Sequence, residues 1–110
     1  MFALIKKLRL NYRVGLLSNA EKPVVDFFRT RNYSFDSPVF SCECGMRKPD
    51  ARIYLYALNN LGVKPEEAVF VDDRLVNVEG ARKVGMGTVL FQNPAQCKKE
   101  LDKLLGFAEN

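Results

Sequence analysis

Apolar and polar positions alternate along this chain in two rhythms. Leu4, Ile5 and Leu8 fall at helical spacing, with Lys6, Lys7 and Arg9 on the other side, which predicts a helix over 2–10. Residues 13–17 then read as a strand that ends in the small polar pair Ser18-Asn19. Pro23 suits an early helical position, and Val24, Val25, Phe27 and Phe28 supply an apolar face that fades by Asn32. A short strand is expected over 38–41. Pro49-Asp50 opens another helix, with Ile53, Tyr54, Ala57, Leu58 and Leu61 as its buried face and Gly62 as its stop. After a turn at Pro65-Glu66-Glu67 comes a buried strand, Ala68-Val69-Phe70-Val71, running straight into Asp72 and Asp73. A helix over 77–83, stopping at Gly85, and a strand over 88–91 follow. Asn93 caps a last helix over 94–105, with Cys97, Leu101, Leu104 and Leu105 turned inward.

Strands alternating with helices in this way predict an α/β domain: a Rossmann-like, three-layer α/β/α unit around a short, mostly parallel sheet of about four strands. Its 110 residues suffice for one core and not two, so the expectation is a single domain over 1–110. No internal repeat or linker interrupts it.

Three polar stations punctuate the order at strand ends or helix starts. They are Ser18-Asn19, then Gly45-Met46-Arg47-Lys48-Pro49-Asp50, then Asp72-Asp73. Parallel strands bring such stations to one edge of the sheet, where ligands bind in open α/β folds. A hydroxyl, an ammonium and two carboxylates gathered there suit a phosphoryl group and a hard divalent cation. Each station also has a plain structural reading. Ser18 can simply end a strand, Lys48 can be a solvated residue before a helix, and either aspartate can cap the helix that follows.

Composition narrows the choices. The hydrophobic share of 47% and charged share of 27% are those of an ordinary globular domain. No apolar run is long enough to span a membrane, no signal peptide is evident, and the cytoplasm is the expected location. There is no histidine, and three cysteines make an odd number, so neither a zinc site nor a disulfide framework is expected. The net charge of +4 is spread over many helix faces, without a basic stripe interleaved with aromatics, which argues against nucleic-acid binding.

At these three stations the chain resembles the haloacid dehalogenase-like hydrolases, over about residues 12–91. Val14-Gly15-Leu16-Leu17-Ser18-Asn19 is similar to the family's second signature, Gly45-Met46-Arg47-Lys48-Pro49-Asp50 to its third, and Phe70-Val71-Asp72-Asp73 to its fourth. The run from Asn77 to Met86 resembles the subgroup with phosphatase and dehalogenase members. The resemblance implies Mg²⁺-dependent phosphoryl transfer from a phosphorylated small molecule, through an aspartyl intermediate. It implies that Ser18 and Asn19 bind substrate and that Lys48 steadies nucleophile and phosphate. Asp73 becomes the direct Mg²⁺ ligand, with Asp72 behind it or sharing the role. Asn77 reads as a turn residue with little claim on the site.

One departure matters. The family's first signature is an aspartate pair with one residue between, and its leading aspartate is the nucleophile. The six aspartates here, at 26, 36, 50, 72, 73 and 102, include no such pair. The helical cap that usually follows that signature is also missing. The expectation is therefore a truncated core domain, nearly inert by itself and binding Mg²⁺ weakly. The alternative is a non-catalytic binding or regulatory module built on the same fold. A phosphorelay receiver domain is disfavoured, because its acidic pair comes early and its lysine late. The resemblance also implies that the missing strand lies between the Ser18 and Asp72 strands. Direct pairing of those two is expected to close the sheet in a monomer, placing Ser18 and Asp72 roughly 5 Å apart. A dimer filling the slot with a second chain's segment is the rival.

Overall fold

The computed structural model describes residues 15–19, 22, 23, 26, 36 and 38–105. The helix expected over 2–10 lies outside the described residues, as does most of the one after Pro23. Of the latter, Lys22, Pro23 and Asp26 are helical, and Lys22 Nζ meets Asp26 Oδ2 at 3.2 Å.

Among the described residues the elements are β1 (Leu17–Ser18), β2 (Val39–Phe40), α1 (Ser41–Cys44), α2 (Ala51–Leu61), a 3₁₀ turn (Pro65–Glu67), β3 (Val69–Asp72), α3 (Leu75–Lys83), β4 (Gly87–Leu90) and α4 (Pro94–Leu105). The chain is α/β with parallel strands, as the alternation implied. α1 was not expected; Ser41, read as the end of a strand, opens it instead.

The strands pair as two separate parallel ladders. β1 lies beside β2, with Leu17 opposite Val39 and Ser18 opposite Phe40. β3 lies beside β4, from Val69 opposite Gly87 to Asp72 opposite Leu90. This corrects two expectations: among the described residues the strands do not form one sheet of four, and β1 does not pair with β3. The described part of β1, Leu17–Ser18, is tied to β3 through side chains rather than through a backbone ladder.

The alternation along β3 divides the core. Phe70 points to one face, into a cluster with Val39, Ile53, Tyr54 and Ala81 that runs beneath both ladders and is flanked by Leu17. Val69 and Val71 point to the other, against Val89, Cys97 and Leu101. α2 and α3 thus cover one face and α4 the other, which is the period-two logic of a strand buried on both sides. Tyr54 meets Phe70 edge to face, with ring centroids 5.2 Å apart.

Local signals set the helix ends. Asp50 caps α2, its carboxylate accepting the Arg52 N–H at 2.9 Å. Gly62 ends α2 in the left-handed region at φ 72°, which costs a glycine nothing. Asn93 Oδ1 accepts the Gln96 N–H at 2.9 Å at the start of α4. α3 begins at Leu75, two residues ahead of the expected start. Leu75 and Val76 are exposed, so the two residues ahead of Asn77 carry no inward apolar signal. Leu104, expected inward, is 50% exposed. The stripe that packs on β4 is Cys97, Leu101 and Leu105, at intervals of four, and Leu104 lies off it. No helix among the described residues is long and apolar enough to cross a membrane.

Candidate functional site

The ends of β1 and β3 are joined through the loop that precedes α2. At the end of β1, the Asn19 side-chain amide donates to the Lys48 carbonyl at 3.1 Å, and its oxygen accepts the Lys48 N–H at 2.9 Å. From that loop the Lys48 side chain reaches the end of β3, where its Nζ stands 2.7 Å from Asp72 Oδ2. Both partners are nearly buried, with side chains 10% and 8% exposed. The ammonium also lies over the Phe70 ring, 5.6 Å from its centroid. Two of the predicted stations are thus bonded to the third through Lys48.

Asp72 is held by three donors. Its Oδ1 accepts the Arg74 backbone N–H at 2.8 Å, and its Oδ2 accepts Lys48 Nζ and, at 3.3 Å, the Asn77 amide. Burial pushes the Asp72 carboxyl up, but the hydrogen bonds from Lys48, Arg74 and Asn77 and the charge of Lys48 outweigh it. The net direction is below the ordinary value of 3.8, so Asp72 is a carboxylate at neutral pH. The capping alternative does not hold for it: Asp72 accepts from the N–H of Arg74, the residue before α3, and the Arg74 side chain makes no cap bond to that helix.

Asp73 contrasts with its neighbour. It is exposed, and no hydrogen bond or ion pair among the described residues engages its carboxylate. Mg²⁺ takes oxygen ligands and commonly keeps several waters beside one or two carboxylates. Asp73 fits that demand as an oxygen donor, whereas Asp72 already accepts from three donors. No group of three or more metal-ligating side chains occurs among the described residues. Ser18 is half-buried at the end of β1, its hydroxyl without a partner among the described residues.

Three participants escaped the sequence reading or were undervalued by it. Asn77, given the weight of a turn residue, is 4% exposed and donates to Asp72 from the first turn of α3. Its place five residues after Asp72 on a predicted helix was the available signal. Tyr54, read as core, donates its hydroxyl to the Asn77 carbonyl at 2.7 Å. Burial, helped by the Asp72 charge, pushes that phenol up to about 12, so it stays a donor. Phe70 beneath Lys48 carried no signal, because a strand phenylalanine reads as core whatever lies above it.

The family model for haloacid dehalogenase-like hydrolases matches residues 1–85. Bifunctional epoxide hydrolase 2 of Mus musculus is 44% identical over 72 residues, which are 66% of this chain and 13% of that protein. Glyceraldehyde 3-phosphate phosphatase of Methanopyrus kandleri is 48% identical over 59 residues, 53% of this chain and 25% of that one. The chain thus spans a quarter or less of these two curated relatives. A HAD family enzyme of Bacteroides thetaiotaomicron, solved in complex with magnesium and inorganic phosphate, superposes with a TM-score of 0.74 at 28% identity, covering 82% of this chain and 50% of that one. With its polar stations joined at the strand ends and its α/β order matched by such structures, the chain belongs to the haloacid dehalogenase-like hydrolases.

Proposed function

We propose that these residues form the phosphoryl-binding and cation-binding part of a phosphatase-type site, acting on a phosphorylated small molecule. The observation that carries this reading is the nearly buried Lys48–Asp72 pair, 2.7 Å long, set at the end of β3 and tied to the end of β1. The ammonium has three donors, and Asp72 takes one. The others face a phosphoryl oxygen, and the open Ser18 hydroxyl donates to another. Lys48 offsets charge that grows in the transition state, in surroundings where water screens it little. Asp73 holds Mg²⁺, with Asp72 fixing the lysine rather than the metal. When bound, the ion supplies charge neutralisation at the phosphoryl group. A relative named as a phosphatase and a neighbour bound to magnesium and inorganic phosphate support the chemistry.

The 110 residues contain no aspartate pair with one residue between, so the nucleophile of the family's reaction is not among them. Loss of a nucleophile costs on the order of 10⁴ to 10⁶ in rate. The chain by itself is therefore expected to show background hydrolysis of an aryl phosphate in the presence of Mg²⁺. Turnover that disappears in Asp73→Ala, in protein free of other phosphatases, would refute this. Titration calorimetry with Mg²⁺ alone should give an affinity weaker than micromolar, since one free carboxylate is offered; micromolar binding would contradict that ligand count. The non-catalytic module remains the second reading, favoured by the same missing pair. It predicts that adding the absent strand, with its aspartates, restores no activity.

A further inference from the structure

Lys48 is held at both ends, and the two ends are held by different residues. Asp72 and the Phe70 ring fix the ammonium. Asn19 fixes the root: one carboxamide both donates to the Lys48 carbonyl and accepts the Lys48 N–H, 29 positions away in sequence. This is the two-bond pattern that a neighbouring strand would offer, supplied instead by a side chain. Lysine is a compact charge on a flexible four-carbon stem. The place of its charge is defined only when root and tip are both held.

We infer that Asn19 is a positioning residue for Lys48, and that it sets the distance between the lysine ammonium and the Ser18 hydroxyl. Asn19 directly follows Ser18 at the end of β1. The residue that carries the hydroxyl is thus one peptide bond from the residue that clasps the lysine. A shift of β1 therefore moves the hydroxyl and the root of the lysine together, while β3 holds the tip. This rests on the phosphoryl-site reading above, and it replaces the substrate contact that the family resemblance implied for Asn19.

Two measurements on the full 110-residue chain test it. The first needs no ligand: amide hydrogen exchange and side-chain NMR order at Lys48. The Lys48 N–H should exchange at least about tenfold slower than in an unstructured peptide, since it is a bonded donor. Asn19→Ala should remove that protection and loosen the Lys48 side chain, with the β3 and β4 amides still protected. Ser18→Ala should do neither. Unchanged Lys48 order in a folded Asn19→Ala chain overturns the assignment. So does an unprotected Lys48 amide in the unsubstituted chain, which decides the matter even if the variant does not fold. The second is a double-mutant cycle read by inorganic phosphate binding. Asn19→Ala should weaken binding about fivefold when Lys48 is present and have no effect in a Lys48→Ala background. Equal losses in both backgrounds would make Asn19 a direct phosphate ligand and overturn the proposal. No phosphate binding in any variant, with Lys48 protected and ordered, refutes the phosphoryl-site reading while supporting the Asn19–Lys48 tie.

Discussion

The β3–β4 half of the molecule and the β1–β2 half hold their strands by different means. β3 and β4 share a four-residue ladder and bury Phe70 on one face and Val89 on the other. Hydrogen bonds and apolar contacts repeat along the whole element, so no single one is decisive. Among the described residues, β1 and β2 share two residue pairs. Beyond the apolar cluster that both ladders share, the end of β1 is tied to β3 by a short relay: Asn19 to the Lys48 peptide, Lys48 to Asp72. A ladder spreads its stabilisation over many groups, whereas a relay concentrates it in a few. The candidate site sits where the two kinds of support meet, and its geometry is only as firm as the relay.

The difference can be broken most directly at Lys48. Removing one partner of a nearly buried pair leaves the other charge uncompensated, a loss of about 3–5 kcal/mol. Lys48→Ala should therefore lower the urea midpoint sharply, and adding Asp72→Asn should recover part of the loss. If Lys48→Ala unfolds no more easily than the parent, the relay does not carry the junction.

Gly80 offers a smaller break at the same junction. A Cβ added there would meet Pro49 Cβ at 2.8 Å, the Pro49 carbonyl at 2.9 Å and the Tyr54 hydroxyl at 2.9 Å. Backbone cannot yield as a side-chain tip can, so Gly80→Ala should cost about 1–3 kcal/mol through overpacking. Because Pro49 follows Lys48, the substitution should also disturb the Lys48 amide resonance while sparing those of β4. A neutral Gly80→Ala would show that α3 and the Lys48 loop do not pack this closely.

The gentlest probe is acid. Asp72 has a folded-state carboxyl below its ordinary value, so the unfolded chain binds the proton more readily. The stabilisation this gives is present above the ordinary carboxylate range near pH 4 and is lost as pH falls through the lower folded value. Stability should decline below about pH 4, and the part due to Asp72 should be absent in Asp72→Asn. An identical acid profile in that variant would show that the pair contributes nothing to the pH dependence.

Much of this was legible in the chain because it is local. The period-3.6 stripe of Ile53, Tyr54 and Leu58 with Asp50 before it and Gly62 after it marks α2 almost to the residue. The run Val69-Phe70-Val71 marks β3, polar residues at strand ends mark Ser18 and Asp72, and Lys48 stands just before a helix start. Repeating apolar contacts leave a repeating trace, and stop signals act through the conformation of one residue.

What only the tertiary structure decided is non-local. Sequence could not say that β1 would pair with β2 and leave β3 to β4, because backbone groups are the same in every strand. Nor could residue type or spacing alone say which of Asp72 and Asp73 would be engaged. Identical side chains at adjacent positions carry one intrinsic chemistry; one is turned toward Lys48 and Asn77 and the other toward solvent. Asn77 likewise reads as a turn residue until the fold brings a carboxylate to it, and only the fold brings the Lys48 peptide to Asn19. The chain determined which residues could do the chemistry. The packing of α2 and α3 against β3, which sets where Lys48 and Asn77 arrive, determined which of them are held and which are left open.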